Sequence, residues 1–178
     1  MKKITSLLFA LTFILTSCTG DQGPPGFDGA PGIPADEYAA QSFEVSPINF
    51  QYDNNTGLQE VIVALPYDLL DSDVVLVYRL DEVVTINGQD TDAWSPLPQN
   101  FFINDTDIIQ YVFNHTFFDV KLLIDGNFNL STLDTGFTQN QVFRIVILPA
   151  DPVNSLDIDF ANLDSVIEAF HITEFETL

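Results

Sequence analysis

The stretch that most limits what this chain can fold into is GDQGPPGFDGAPGIP, residues 20–34. Glycine recurs at 20, 23, 26, 29 and 32, and proline stands at 24, 25, 31 and 34. Such a repeat offers no apolar face for a helix or strand to bury, and each proline removes an amide donor from any ladder. What remains available is polyproline II, as one extended chain or as three wound together, because only glycine fits at a three-chain axis. Five triplets make few interchain contacts to set against the entropy of joining three chains, so a single extended spacer is expected over a triple helix. At ~3.1 Å per residue, the 15 residues would span about 45 Å. A folded domain has to begin beyond this stretch.

Upstream, Lys2 and Lys3 precede the apolar run Ile4 to Leu15. That run is about 12 residues, whereas a membrane-spanning helix needs roughly 20. It reads as a processing signal and is set aside from fold reasoning. Leu15-Thr16-Ser17-Cys18 resembles the lipobox of bacterial lipoproteins: an aliphatic residue, two small ones, then cysteine. The resemblance implies cleavage before Cys18, a diacylglycerol on its thiol and acylation of its new amino group. Cys18 is the single cysteine, so no disulfide framework is available. Several acyl chains at ~0.8 kcal/mol per buried CH₂ would make the attachment effectively permanent. The expected organisation is a signal over 1–17, a lipid anchor and collagen-like stalk over 18–40, and one domain over 41–178.

From Phe43 onward, apolar runs alternate with turn residues, and the domain is long enough to bury a core without staples. Phe43 and Val45 alternate, and the phase flips to Ile48, Phe50 and Tyr52 across Ser46-Pro47, where Pro47 predicts an edge strand or a bulge. Val61–Leu65 predicts a strand. Val74–Leu80, apolar on both faces, predicts a central buried one. A short strand over Val83–Ile86 is expected before a polar loop, Asn87–Asp92, followed by an irregular Trp94–Pro98 and a strand-like Phe101–Ile103. Ile109, Tyr111 and Phe113 alternate, as do Phe118, Val120, Leu122 and Ile124, with a hairpin turn expected at Asn114-His115-Thr116. Phe143, Ile145 and Ile147 predict another strand. One helix is expected near 160–170, with Phe160, Leu163, Ile167 and Phe170 on one face and Asp159 as N-cap. The expectation is a mainly β fold: an antiparallel β-sandwich with one C-terminal helix packed at its end.

The anchor, the Gly-x-y stalk and the segments DVVLVYRL, AWSPLPQNFFIN and QVFRIVILPAD together resemble small collagen-like outer-membrane lipoproteins of the flavobacterial type. The resemblance implies an outer-membrane lipoprotein. It supplies no activity and no site residues.

Charge narrows the partners. The chain holds 26 acidic and five basic side chains, and removal of residues 1–17 takes two lysines, leaving Arg79, Lys121 and Arg144 and a net charge of −23. Nucleic acid is excluded as a direct partner, since phosphate binding needs a basic footprint. The acids read either as a self-repelling solvated surface or as Ca²⁺ ligands. The spacings that raise Ca²⁺ are Asp71-x-Asp73, Asp90-x-Asp92, Asp105-x-Asp107 and Asp157-x-Asp159, none with EF-hand spacing.

Motifs for catalysis are few. The sequence holds no His-Glu-x-x-His, Gly-x-Ser-x-Gly, phosphate loop or Cys-x-x-Cys. Asp134-Thr135-Gly136 has the aspartic-protease triplet, but that chemistry needs two such aspartates sharing a proton. His115 and His171 read as structural. Trp94, beside two prolines, is the one aromatic expected to be exposed enough to stack on a sugar. The sequence thus predicts a non-enzymatic interaction module, lipid-anchored in the outer membrane at Cys18, with an outer-membrane protein or a surface glycan as partner. A glycan-binding module, assisted by Ca²⁺, is the alternative reading and a hydrolase the third. No catalytic residue, cofactor or metal ligand is assigned, and the oligomeric state stays open.

Overall fold

The computed structural model describes residues 40–150 and 158–178; the signal, Cys18 and the Gly-x-y stretch lie outside the described residues. Among the described residues, ten strands form two sheets. In chain order they are β1 (Gln41–Ile48), β2 (Gln51–Tyr52), β3 (Gln59–Ala64), β4 (Val74–Ile86), β5 (Gln89–Pro96), β6 (Gln99–Phe102), β7 (Ile108–His115), β8 (Asp119–Gly126), β9 (Gln141–Leu148) and β10 (Glu176–Thr177). One sheet has the order β10-β1-β9-β4-β5, the other β2-β3-β8-β7-β6. Pairing is antiparallel except between β1 and β10. A one-turn helix, α1 (Thr135–Thr138), lies between β8 and β9, and an eight-residue helix, α2 (Leu163–Phe170), precedes β10. The mainly β, two-sheet expectation holds.

The alternation seen in the sequence fills the space between the sheets. Phe43, Val45, Val75, Val77, Phe143, Ile145 and Ile147 of the first sheet meet Val63, Ile109, Tyr111, Val120, Leu122 and Ile124 of the second. Phe50 sits edge-on to both Tyr111 and Phe143, with centroids 5.9 and 6.0 Å away. Register shifts between Val45 and Ile48, so the phase flip at Ser46-Pro47 is a bulge.

A second core explains why Val74–Leu80 is apolar on both faces. Tyr78, Val146 and Leu148 on the outer face of the first sheet are covered by Leu163 and Val166 of α2, with Val74, Leu76, Trp94, Ile167 and Phe170 packed around them. The helix therefore lies on a sheet face rather than at the end of the sandwich, where it was expected. Its cap differs too: the Asn162 side chain accepts from the Asp164 and Ser165 amides. Asp159 instead accepts from the Ala161 amide, one turn earlier. Central position in the first sheet belongs to β9, with β4 beside it.

Two buried phenols tie the layers to their connections. Tyr78 donates to the Phe160 carbonyl at 2.7 Å, and Tyr111 donates to the Phe137 carbonyl at 2.6 Å. Gly126 permits a close crossing, because a Cβ there would lie 2.9 Å from Leu130 Cδ2 and 3.0 Å from the Ile108 carbonyl oxygen.

Candidate functional site

The element with no packing duty is the distal half of the β4–β5 hairpin. β9 pairs with β4 only as far as Arg79, opposite Phe143, whereas β5 pairs with β4 out to Ile86. From Glu82 to Ala93 the two strands are therefore, among the described residues, a ribbon paired only with each other. At roughly 3.3 Å per residue, the seven residues from Leu80 to Ile86 carry it about 23 Å past Arg79, the last β9 partner. The turn at its tip is Asn87-Gly88, with φ of 54° and 83°. A two-residue turn with both central residues at positive φ matches the right-handed twist of the flanking strands, and Asn-Gly is its preferred sequence. The polar loop expected over Asn87–Asp92 is therefore a turn and half a strand, and Trp94 to Pro96 continue that strand. Alternation failed to reveal β5 because both faces of a lone ribbon are wet.

The ribbon points to one particular end. Gln41, where β1 begins, pairs with Ile147, and Val74, where β4 begins, pairs with Leu148. The chain thus joins the first sheet at the end opposite the ribbon. Along the ribbon Val83 is 55% and Ile86 54% exposed. Glu82, Asp90 and Asp92 are its charged residues, all acidic. On the other sheet Phe102 of edge strand β6 stands 78% exposed. It pairs with Ile108, where β7 starts, at the same end of the sandwich.

At the ribbon's root a bulge at Asp81 breaks the β4–β5 register between Leu80 and Glu82. The bulge turns the Asp81 carboxylate back onto Arg79, whose Nη1 lies 3.0 Å from Asp81 Oδ1. The guanidinium also donates to Gln141 Oε1 through Nε and Nη2, at 3.0 and 2.8 Å, and rests 4.8 Å from the Tyr111 ring centroid. Ser95 and Gln99 donate to the same carboxylate. This cluster closes the inter-sheet core where the ribbon departs. Burial pushes the Tyr111 phenol up to about 12, partly offset by Arg79. Burial likewise raises Tyr78 to about 12, with Asp159 adding to it.

The sequence's other candidates fall into local roles. Trp94 is half-buried on the α2 side of the first sheet, and Arg144 lies 4.0 Å over its ring centroid. Arg144 also lies 4.2 Å over the Phe175 ring centroid and 3.1 Å from Glu44, its direct neighbour across β1 and β9. One face of the indole is thus occupied. Asp134, of the Asp-Thr-Gly triplet, caps α1 by accepting from the Gly136 amide.

His171 ends α2 in the left-handed conformation at φ 55°, and His115 ends β7; the expected turn moves on to Thr116–Phe118. Asp73 accepts from the Leu70 amide, Asp90 from Thr85, and Asp107 from Asn104 and Thr106. Asp90 and Asp92 lie in a strand instead of a loop, and Asp157 lies outside the described residues. Among the described residues, no three His, Cys, Asp or Glu side chains converge on a point that could hold a metal ion.

At the Gln41 end, Leu70, Phe117 and Phe118 are exposed on neighbouring loops, linked by the Leu69 amide donating to the Phe117 carbonyl. Compared with protein-family models, curated proteins and solved structures, the chain matches none. No helix among the described residues is long and apolar enough to cross a membrane.

Proposed function

We propose that this chain is a lipid-anchored outer-membrane protein, attached through Cys18 and a collagen-like spacer. It holds out a non-enzymatic β-sandwich that binds another component of the envelope or cell surface. One observation carries the reading: the ribbon of residues 82–93 extends past the sandwich at the end opposite Gln41, where β1 begins. A two-stranded ribbon is marginally stable alone and gains nothing here from core packing. Its Val83 and Ile86 are exposed, and contact with a partner is the role that fits them. A sugar platform at Trp94 is the weaker reading, since Arg144 already lies over that ring.

Cross-linking with mass spectrometry on native membranes tests the proposal. The wild type should give a stoichiometric membrane-protein partner, and a variant with residues 82–93 replaced by a short turn should lose it while remaining folded. Glycan binding abolished by EDTA or by Trp94→Ala would favour the rival instead. Turnover of a defined substrate by the purified protein would sink both.

A further inference from the structure

We propose that the partner adds a strand to the open edge of β5, and that this strand carries lysine or arginine at alternate positions. The inference rests on the interaction-module reading and specifies its chemistry. β5 is the outermost strand of its sheet, and among the described residues nothing pairs with its far side. In a hairpin closed by a two-residue turn, the flanking pair Ile86 and Gln89 exchanges both backbone bonds, and so does Val84 with Thr91 two residues on. The amides and carbonyls of Asp90 and Asp92 therefore point away from β4, offering an unpaired ladder to an incoming chain.

Natural sheets guard such edges with charge. Here the guards are the aspartates themselves, whose side chains share one face with Val83 and Thr85, their partners in register. A second copy pairing on this edge would bring aspartate against aspartate, which disfavours self-association. A strand with basic side chains opposite Asp90 and Asp92 would meet opposite charge, and apolar residues between them would extend the face that holds Val84 and Ile86. No basic side chain lies on the ribbon to compete.

The test uses the full mature chain and two synthetic peptides, one alternating lysine with valine and one alternating glutamate with valine. Amide hydrogen exchange by NMR is the readout. The lysine peptide should slow exchange at Asp90 and Asp92 about tenfold or more, leaving amides that already face β4 unchanged. The glutamate peptide should do nothing. In the variant Asp90→Lys/Asp92→Lys, checked for fold by circular dichroism, the preference should reverse. Asp92→Pro, which removes an outward amide and leaves the bonds to β4 intact, should weaken lysine-peptide binding, whereas Asp92→Asn should keep most of it. Protection elsewhere on the domain, indifference to the charge reversal, or absence of binding by the lysine peptide would overturn strand addition. A partner still cross-linked in native membranes despite Asp92→Pro would overturn it too while leaving the interaction reading intact. Loss of any partner from the ribbon of the wild type would remove both.

Discussion

Arg79 is 8% exposed, a cation placed where the alternation of β4 calls for a core residue. Taking a charge out of water is costly unless it is paired and fully hydrogen-bonded. Asp81, Gln141 and the Tyr111 ring together meet that demand. Asp81→Ala should therefore destabilise the domain by about 2–3 kcal/mol, somewhat below the fully buried case because the Asp81 side chain keeps some solvent contact. Urea denaturation should show a lower midpoint with an unchanged slope. The phenols set the alkaline limit. An exposed tyrosine ionises near pH 10, while Tyr78 and Tyr111 are held up to about 12. Their contribution is complete below the unfolded value and is lost as pH rises from there toward 12, because the unfolded chain releases those protons first. Tyr78→Phe and Tyr111→Phe should each flatten the fall in stability over that window, measured by denaturant midpoints at successive pH values.

Among the strands and helices, what the sequence made legible was whatever a one-sided burial pattern produces. β7, β8 and β9 follow their alternation closely, and Ile145→Ala in β9 should cost about 2–5 kcal/mol by opening a cavity between the sheets. Less legible was anything decided by a second partner. Val74–Leu80 announced two buried faces, but nothing in the residues said that the second face belongs to α2. Asp159 and Asn162 are both good caps, and only the packing of Leu163 and Val166 chooses between them. The ribbon was the largest omission, although Asn87-Gly88 flanked by Thr85-Ile86 and Gln89 is a hairpin signal in its own right. Gly88→Ala forces a side chain into φ 83° and should cost about 1 kcal/mol. Hydrogen exchange should localise that loss to residues 82–93, with protection of β9 unchanged.

Over the molecule as a whole, charge dominates. A chain with a formal net charge of −21 repels itself in the compact state. Its thermal midpoint should rise as salt is raised from about 0.01 M to about 0.5 M, where the screening length shrinks to a few ångströms. The same charge makes anionic headgroups poor company, which suits the proposed spacer. Intact mass spectrometry of the membrane fraction should find a chain beginning at Cys18 with acyl mass added, and Cys18→Ala should release unmodified protein. Three surfaces compete for the proposed partner: the ribbon, the Gln41 end and the outer face of the second sheet, where Ile62 is exposed. Site-specific photo-cross-linking in intact cells from Ile86, Phe117 and Ile62 samples one position on each. If the ribbon meets the partner, Ile86 gives one discrete adduct and the other two give none; adducts from Phe117 or Ile62 with a silent Ile86 would contradict it.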